Sequence, residues 1–164
     1  MTAADDFRTA MRRLPTGVTI VTTLLGGKPK GFTANAFSSV SADPPMILIC
    51  VNRLARSHPA IAASSAFCVN VLTLEQRSLA ERFATHGGLE DADPFVGLEH
   101  GVVRTGVPVL DGALAFFDCE LAEEHSAGTH TIFIGSVVAS GSRDGAPLGY
   151  FNGGFSDFGC RISS

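Results

Sequence analysis

Short apolar runs broken by polar, glycine-rich stretches dominate this chain, and helical spacing of apolar positions appears in only a few places. Val18–Leu24 (VTIVTTL) is rich in β-branched residues and predicts a strand. Gly26-Gly27-Lys28-Pro29 then signals a turn. A second extended segment follows from Lys30 to about Val40, and Asp43-Pro44-Pro45 breaks it. Met46–Val51 (MILICV) is continuously apolar, which fits a strand buried on both faces or a barrel stave. Phe67–Leu72 (FCVNVL) predicts another strand. Ala113–Glu124 and Thr131–Ser140 predict long strands around a loop at Glu124–Thr129, and Pro147–Phe151 predicts a last short one.

Helices are fewer. In Ala4–Leu14, Phe7, Met11 and Leu14 share one face, Asp5 and Asp6 suit the positive end of the dipole, and Pro15 ends the element. Ser57–Ala63 reads as a short helix with Ser57 as N-cap and Pro59 in its first turn. Thr73–Ala84 carries the clearest signal: Thr73 caps it, Gln76 completes a capping box, and Leu79, Ala80 and Phe83 form the apolar stripe. Thr85–Gly112 is polar and rich in Gly, Asp and Pro, so it reads mostly as loop. A parallel α/β fold would alternate helix and strand more regularly. The order instead predicts a mainly β fold, antiparallel strands closed into a barrel with helices plugging or flanking it.

Composition narrows the class. The chain has 164 residues, 45% apolar and 17% charged, enough to bury one core in a single domain spanning 1–164. Net charge is −4 with no basic cluster, which argues against nucleic acid. The apolar runs are far shorter than the roughly 20 residues of a membrane span, and no secretory h-region follows the N-terminus. The expected location is therefore cytoplasmic, with no membrane contact. Cys50, Cys68, Cys119 and Cys160 form no C-x-x-C pair. They read as buried thiols in a reducing compartment, with disulfides or a zinc site as alternatives.

Several chemistries lack their motif. No G-x-G-x-x-G follows the first strand, and there is no Walker A sequence and no G-x-S-x-G elbow. None of His58, His86, His100, His125 and His130 lies in H-E-x-x-H. His125 and His130 flank a loop tip but lack a third ligand at useful spacing, so no metal is expected. An organic cofactor is the remaining carrier of chemistry.

A few segments suit one. Thr33–Ser41 (TANAFSSVS) combines hydroxyls, an amide and small side chains, so a flat ring can approach the backbone. The same pattern also suits a plain polar edge strand. Cys50–His58 (CVNRLARSH) ends a buried strand with an amide, two guanidiniums and a hydroxyl before a helix. That suits phosphate, or an ordinary N-cap beside solvated arginines. Arg82-Phe83 offers a charge and an aromatic late in the clear helix, where a core Phe and a solvated Arg are the plainer reading. His130 sits at the mouth of a strand, suited to a carboxamide or phosphate or else to plain solvent. Tyr150–Phe155 (YFNGGF) suits a second flat ligand or a simple hairpin turn.

Taken together, these segments resemble the short-chain flavin reductase family, the reductase components of two-component flavin-dependent monooxygenases such as 4-hydroxyphenylacetate 3-monooxygenase. The matching stretches are LPTGVTIVTT (Leu14–Thr23), GFTANAFSSVS (Gly31–Ser41), DPPMILICVN (Asp43–Asn52), FCVNVL (Phe67–Leu72), Arg82-Phe83, HTIFIG (His130–Gly135) and PLGYFNGGF (Pro147–Phe155). The resemblance implies a homodimeric FMN-binding split barrel of Greek-key type, antiparallel, with flanking helices. It implies that NADH or NADPH reduces FAD or FMN, which then serves a partner monooxygenase. Similar chains reduce another acceptor such as a cobalt corrinoid, and a non-catalytic flavin module or a plain dimeric interaction domain are the non-enzyme alternatives.

By motif, the flavin would contact Asn35 and Ala36, with Thr33, Ala34, Ser38 and Ser39 nearby. Its ribityl phosphate would lie along Cys50, Val51, Asn52, Arg56 and Ser57, helped by Arg82 and Phe83. The nicotinamide cofactor would lie near Gly31, Phe32, Thr33, His130, Phe151, Asn152, Gly153 and Gly154. His130 would orient it, and no residue is assigned as a catalytic acid, base or nucleophile. The family often carries Gly-Asp before this histidine; here the pair is Gly128-Thr129, which removes a carboxylate.

Overall fold

The computed structural model describes residues 2–85 and 93–159. The first helix, α1 (Ala3–Met11), starts at Thr2, whose N–H donates to the Asp5 carboxylate at 3.0 Å while its hydroxyl accepts from the Asp5 N–H. It stops short of Leu14, and none of its residues is buried. The expected apolar face exists, but Phe7 remains 65% and Met11 48% exposed.

A two-residue strand, β1 (Thr16–Gly17), precedes β2 (Thr19–Leu25) and β3 (Lys28–Ala34). Leu25 pairs with Lys28, so Gly26 and Gly27 alone make the hairpin turn. Both have positive φ, +57° and +75°, which suits the right-handed twist of the flanking strands and favours glycine. The extended segment expected from Lys30 to Val40 is two strands, β3 and β4 (Phe37–Ala42). At Asn35–Ala36 the backbone leaves the ladder with β2 and begins one with β5 (Pro45–Asn52).

Helix α2 (His58–Ser64) ends on Ser65 in the left-handed region, and β6 (Ala66–Val71) follows. The helix expected from Thr73 begins as a tighter 3-10 turn, Leu74–Gln76, before α3 (Arg77–Thr85). The Gln76 side chain accepts from the Thr73 N–H at 3.2 Å, the expected return bond of a capping box. Where loop was expected up to Gly112, the described part holds a small pair, β7 (His100–Gly101) and β8 (Val109–Leu110). The rest of the described stretch is turn and loop as expected; residues 86–92, His86 among them, lie outside the described residues, as does Cys160.

Two long strands, β9 (Ala115–Ala127) and β10 (His130–Ser142), are joined by Gly128 and Thr129 alone. The expected loop at Glu124–Thr129 is therefore mostly strand. At this end of β9 neither face is buried, so polar residues occupy both and no alternation marks that strand. A last hairpin pairs β11 (Leu148–Phe151) with β12 (Gly154–Asp157), the latter not foreseen.

The molecule is mainly β, and among the described residues every strand pair is antiparallel. Seven strands form one sheet in the order β3-β2-β6-β9-β10-β5-β4, and β1, β11 and β12 form a smaller one. The edge strands of the large sheet, β3 and β4, are separated in sequence only by Asn35 and Ala36. A sheet whose first and last strands are so tethered must curl across its whole width.

Inside the curl lies a core of Val21, Ile49, Phe67 and Phe133 with their neighbours. A second cluster, including Ile20, Leu72, Phe83 and Leu148, packs beneath α3 and β11. Strand β2 serves both, which is why Thr19–Thr23 is buried without a break. Its threonines keep their hydroxyls satisfied: Thr19 donates to Ala34 O at 2.7 Å and Thr23 to Ala66 O at 2.8 Å. Strand β5 instead alternates, with Ile47, Ile49 and Val51 buried and Met46, Leu48 and Cys50 half-buried. Burial on both faces, one of the two readings of this run, is therefore not what is found.

Candidate functional site

The cleft begins where the large sheet parts. Ala36 O accepts from the Cys50 N–H at 3.1 Å, and Phe37 pairs with Ile49. Beyond that bond β3 pairs with β2, whereas β5 continues along β10. The two walls diverge, and a cleft of about 1120 Å³ opens between them. One wall runs outward from Asn35 and Ala34 through Thr33, Phe32 and Gly31 to Lys30 and Lys28. The other runs from Cys50, Val51 and Asn52 to Ala55, Arg56 and Ser57. Because β3 is an edge strand of the large sheet, it keeps a row of N–H and C=O groups outside the ladder.

Helix α3 backs the first wall. Thr33 donates its hydroxyl to Ala80 O at 2.6 Å, fastening β3 to the helix. Phe83 reaches the cleft beside Gly31, where an added Cβ would lie 2.9 Å from the Phe83 ring and 3.0 Å from Val21 O. Only glycine fits there without moving backbone. Phe83 is held edge-on by Phe95, with centroids 5.1 Å apart.

On the second wall, Asn52 Oδ1 accepts from the Leu54 N–H at 2.9 Å and shapes the turn into α2. Ser57 is 8% exposed and lines the cleft, but its hydroxyl makes no cap bond and its backbone is already helical. The capping role expected of it is therefore not the one it plays. The helix it precedes has only seven residues, so its dipole adds little to any anion site there. The His58 ring, unassigned from sequence, buttresses this corner: its Nε2 lies 2.8 Å from Thr131 Oγ1 and its ring 5.3 Å from that of Phe133. Nothing local in the sequence signals that contact, which joins positions 73 residues apart.

His130 pairs with Asn52 across β10 and β5 and lines the cleft. Its Nδ1 lies 2.9 Å from the hydroxyl of Thr129. Arg53 clamps this hairpin tip: its N–H donates to Thr129 O at 3.0 Å and its guanidinium to Gly128 O.

A smaller cleft of about 350 Å³ adjoins the first, walled by Val18, Tyr150 and Phe155. The two share Thr33, Ala34, Asn35 and Ala84. Tyr150 and Phe155 meet edge-on at 5.8 Å, and Arg77 lies 5.5 Å above the Phe155 ring.

Not every expected residue gathers here. Ser38 and Ser39 lie exposed on β4, outside both linings. The Arg82 guanidinium donates to Val96 O and does not line the cleft. Phe151, Asn152, Gly153 and Gly154 line neither cleft, and the Asn152 N–H is tied to Arg12 O at 2.9 Å. His130 and the Tyr150–Phe155 hairpin therefore face different clefts within one chain. Lys28, Lys30 and Ala55 line the cleft without having been expected there, although Lys28, Lys30, Phe32 and Ala34 alternate as one face of a strand.

The thiols divide by position. Cys50 is half-buried and lines the cleft. Cys68 and Cys119 are buried; removal from water, and secondarily the nearby Asp118 carboxylate, push both thiols up, Cys119 to about 12.

Comparison with known proteins settles the family. The flavin reductase-like domain family matches residues 11–159. The chain belongs to that flavin reductase family. It is 40% identical over 153 residues to the FMN reductase (NADH) SmoA of Agrobacterium fabrum, covering 93% of this chain and 85% of that protein. It is also 40% identical over 148 residues to the flavin-dependent monooxygenase reductase subunit HsaB of Rhodococcus jostii, covering 90% of this chain and 74% of that one. Among solved structures, the NADH:FAD oxidoreductase SgcE6 of Streptomyces globisporus, in complex with NAD and FAD fragments, superposes with a TM-score of 0.89 at 33% identity. The alignment covers 98% of this flavin reductase and 96% of that chain. Among the described residues, no helix is long and apolar enough to cross a membrane.

The cleft suits a flavin on its own terms. It has small side chains at Ala34 and Ala36, backbone groups outside the ladder along one side, and Arg56 and Ser57 on the other. A substituent at Gly31 would disturb the Phe83 backing of that wall.

Proposed function

We propose that this protein is an NAD(P)H-dependent flavin reductase, a single domain whose curled sheet closes as a split barrel around the flavin seat. The observation that carries the reading is the cleft parting at Ala36–Cys50, with ring-sized space on the β3 wall and Arg56 and Ser57 on the β5 side. The relatives named as NADH:flavin reductases support the same activity. The HsaB likeness supports a flavin-dependent monooxygenase as recipient of the reduced flavin.

A bound flavin supplies the ring that accepts hydride. Stacked rings at short distance need positioning more than an acid or base. Thr33–Asn35 border both clefts and would hold the flavin ring along the β3 wall of the larger one, the cleft that His130 also lines. Free N–H groups on the β3 edge would face the ring's polar edge and favour negative charge there. Arg56 and Ser57 would hold the flavin's phosphate. Thr129 fixes the imidazole of His130 through Nδ1 and leaves Nε2 for the nicotinamide cofactor.

A homodimer in the cytoplasm completes the proposal. The exposed Phe7 and Met11 on α1 and Val40 on the β4 edge support association. The decisive experiment is an absorbance spectrum of purified protein mixed with FAD or FMN, then with NADH under anaerobic stopped flow. Bleaching of the flavin band faster than in free solution is expected. Flavin uptake without bleaching would leave only a binding module.

A further inference from the structure

Reading the larger cleft as the flavin seat leaves part of it unused. Its walls diverge from the Ala36–Cys50 bond, so residues farther along each strand lie nearer the mouth. On the β5 side the cations come at Arg56, outward of Asn52. On the β3 side they come at Lys30 and Lys28. From Ala34 to Lys28 a strand covers roughly 20 Å, more than an isoalloxazine ring seated at Thr33–Ala36 occupies. Lys28 and Lys30 project from the same face as Phe32 and Ala34, and a two-residue step separates their Cα atoms by about 7 Å. Leu25, Pro29 and Pro94 line this outer end, so it offers apolar surface as well as charge. Asp93 also lines it, but its Oδ1 accepts from the Phe95 N–H at 2.9 Å.

A flavin mononucleotide has one phosphate, which in the proposed flavin reading Arg56 and Ser57 would meet. The second basic pair and its apolar border match what a dinucleotide adds: another phosphate, a ribose and a flat purine. We propose that the Leu25–Lys30 end of the cleft is an adenylate subsite, and that the protein selects FAD over FMN through Lys28 and Lys30. The inference rests on the flavin-reductase reading of the same cleft. Lys28 and Lys30 act as point charges on exposed stems, so the selectivity is sensitive to salt.

Equilibrium titration of the apoprotein with FAD and with FMN tests this directly, read by quenching of flavin fluorescence. FAD should bind at least about tenfold more tightly, the size of one charge-assisted hydrogen bond. In the K28Q/K30Q protein the FAD-to-FMN affinity ratio should fall toward one, and K28R/K30R should restore it. Raising salt should shrink the wild-type ratio. A second measurement needs no variant: adenosine monophosphate should displace FAD competitively while leaving bound FMN in place. Equal affinities in the wild type, or a ratio untouched by K28Q/K30Q, overturn the subsite while the flavin seat stands. Failure of both flavins to bind overturns the flavin reading, and the subsite with it.

Discussion

Gly31, His130 and the cysteines show how single side chains define this site. Gly31→Ala places a Cβ 3.0 Å from the Val21 carbonyl, and backbone cannot step aside as a side-chain tip does. A loss of roughly 1–3 kcal/mol in stability is expected, measured by urea unfolding, with weaker flavin binding as β3 shifts. His130→Ala is expected to raise the KM for NADH several-fold while flavin affinity changes little. Steady-state kinetics beside flavin titration decide it: a fall confined to flavin affinity would move His130 into the flavin seat. Burial pushes the Cys119 thiol up to about 12 in the folded chain, from near 9.0 when exposed. The folded state therefore holds its proton more tightly, and stability is full below pH 9 and declines between about 9 and 12. Denaturant midpoints across that range test the sign. In native protein at neutral pH, Cys68 and Cys119 should resist alkylation, while Cys50 should react and be protected by added flavin.

The elements are held by polar bonds that local patterns do not reveal. Buried Asp118 on β9 accepts from the backbone of Arg104 at 2.9 Å and of Thr105 at 3.1 Å, and from the Thr105 hydroxyl. Asn70 on β6 works beside it, donating to Ile20 O and accepting from the Leu110 N–H at 2.8 Å. Together they lay residues 104–110 over the sheet. Asp118→Ala strands those donors and is expected to cost about 2–3 kcal/mol by urea unfolding. The β9–β10 hairpin shows a related effect. The end of its first strand, β9, has the composition of a loop because alternation fails when neither face is covered. Cross-strand bonds and the Arg53 clamp keep it extended, and so aim His130 at the cleft.

For the whole molecule, curling is the decisive event. The stretches Gly31–Ser41 and Cys50–Ser57 stand out in the sequence by their residue types alone, and both contribute walls to one cleft. Ser38 and Ser39 do not, because the strand carrying them has already crossed from the parted region to the paired one. Arg82 is diverted to the Val96 carbonyl. The exposed apolar side chains of α1 bury nothing within the chain. Sedimentation at micromolar concentration is therefore expected to give the mass of a dimer, and Phe7→Ser with Met11→Ser to shift it toward monomer.

Patterning alone determined the β-rich class, the places of most strands and helices, and the short segments suited to a flat cofactor. These depend on local spacing: β-branched runs, turn glycines and capping residues act within a few positions of themselves. Tertiary structure decided where the sheet parts, which faces of β3 and β5 oppose each other, and that the Tyr150 hairpin and His130 serve different clefts. Those outcomes depend on register between strands far apart in the chain, fixed by packing across the curled sheet and invisible to any local window.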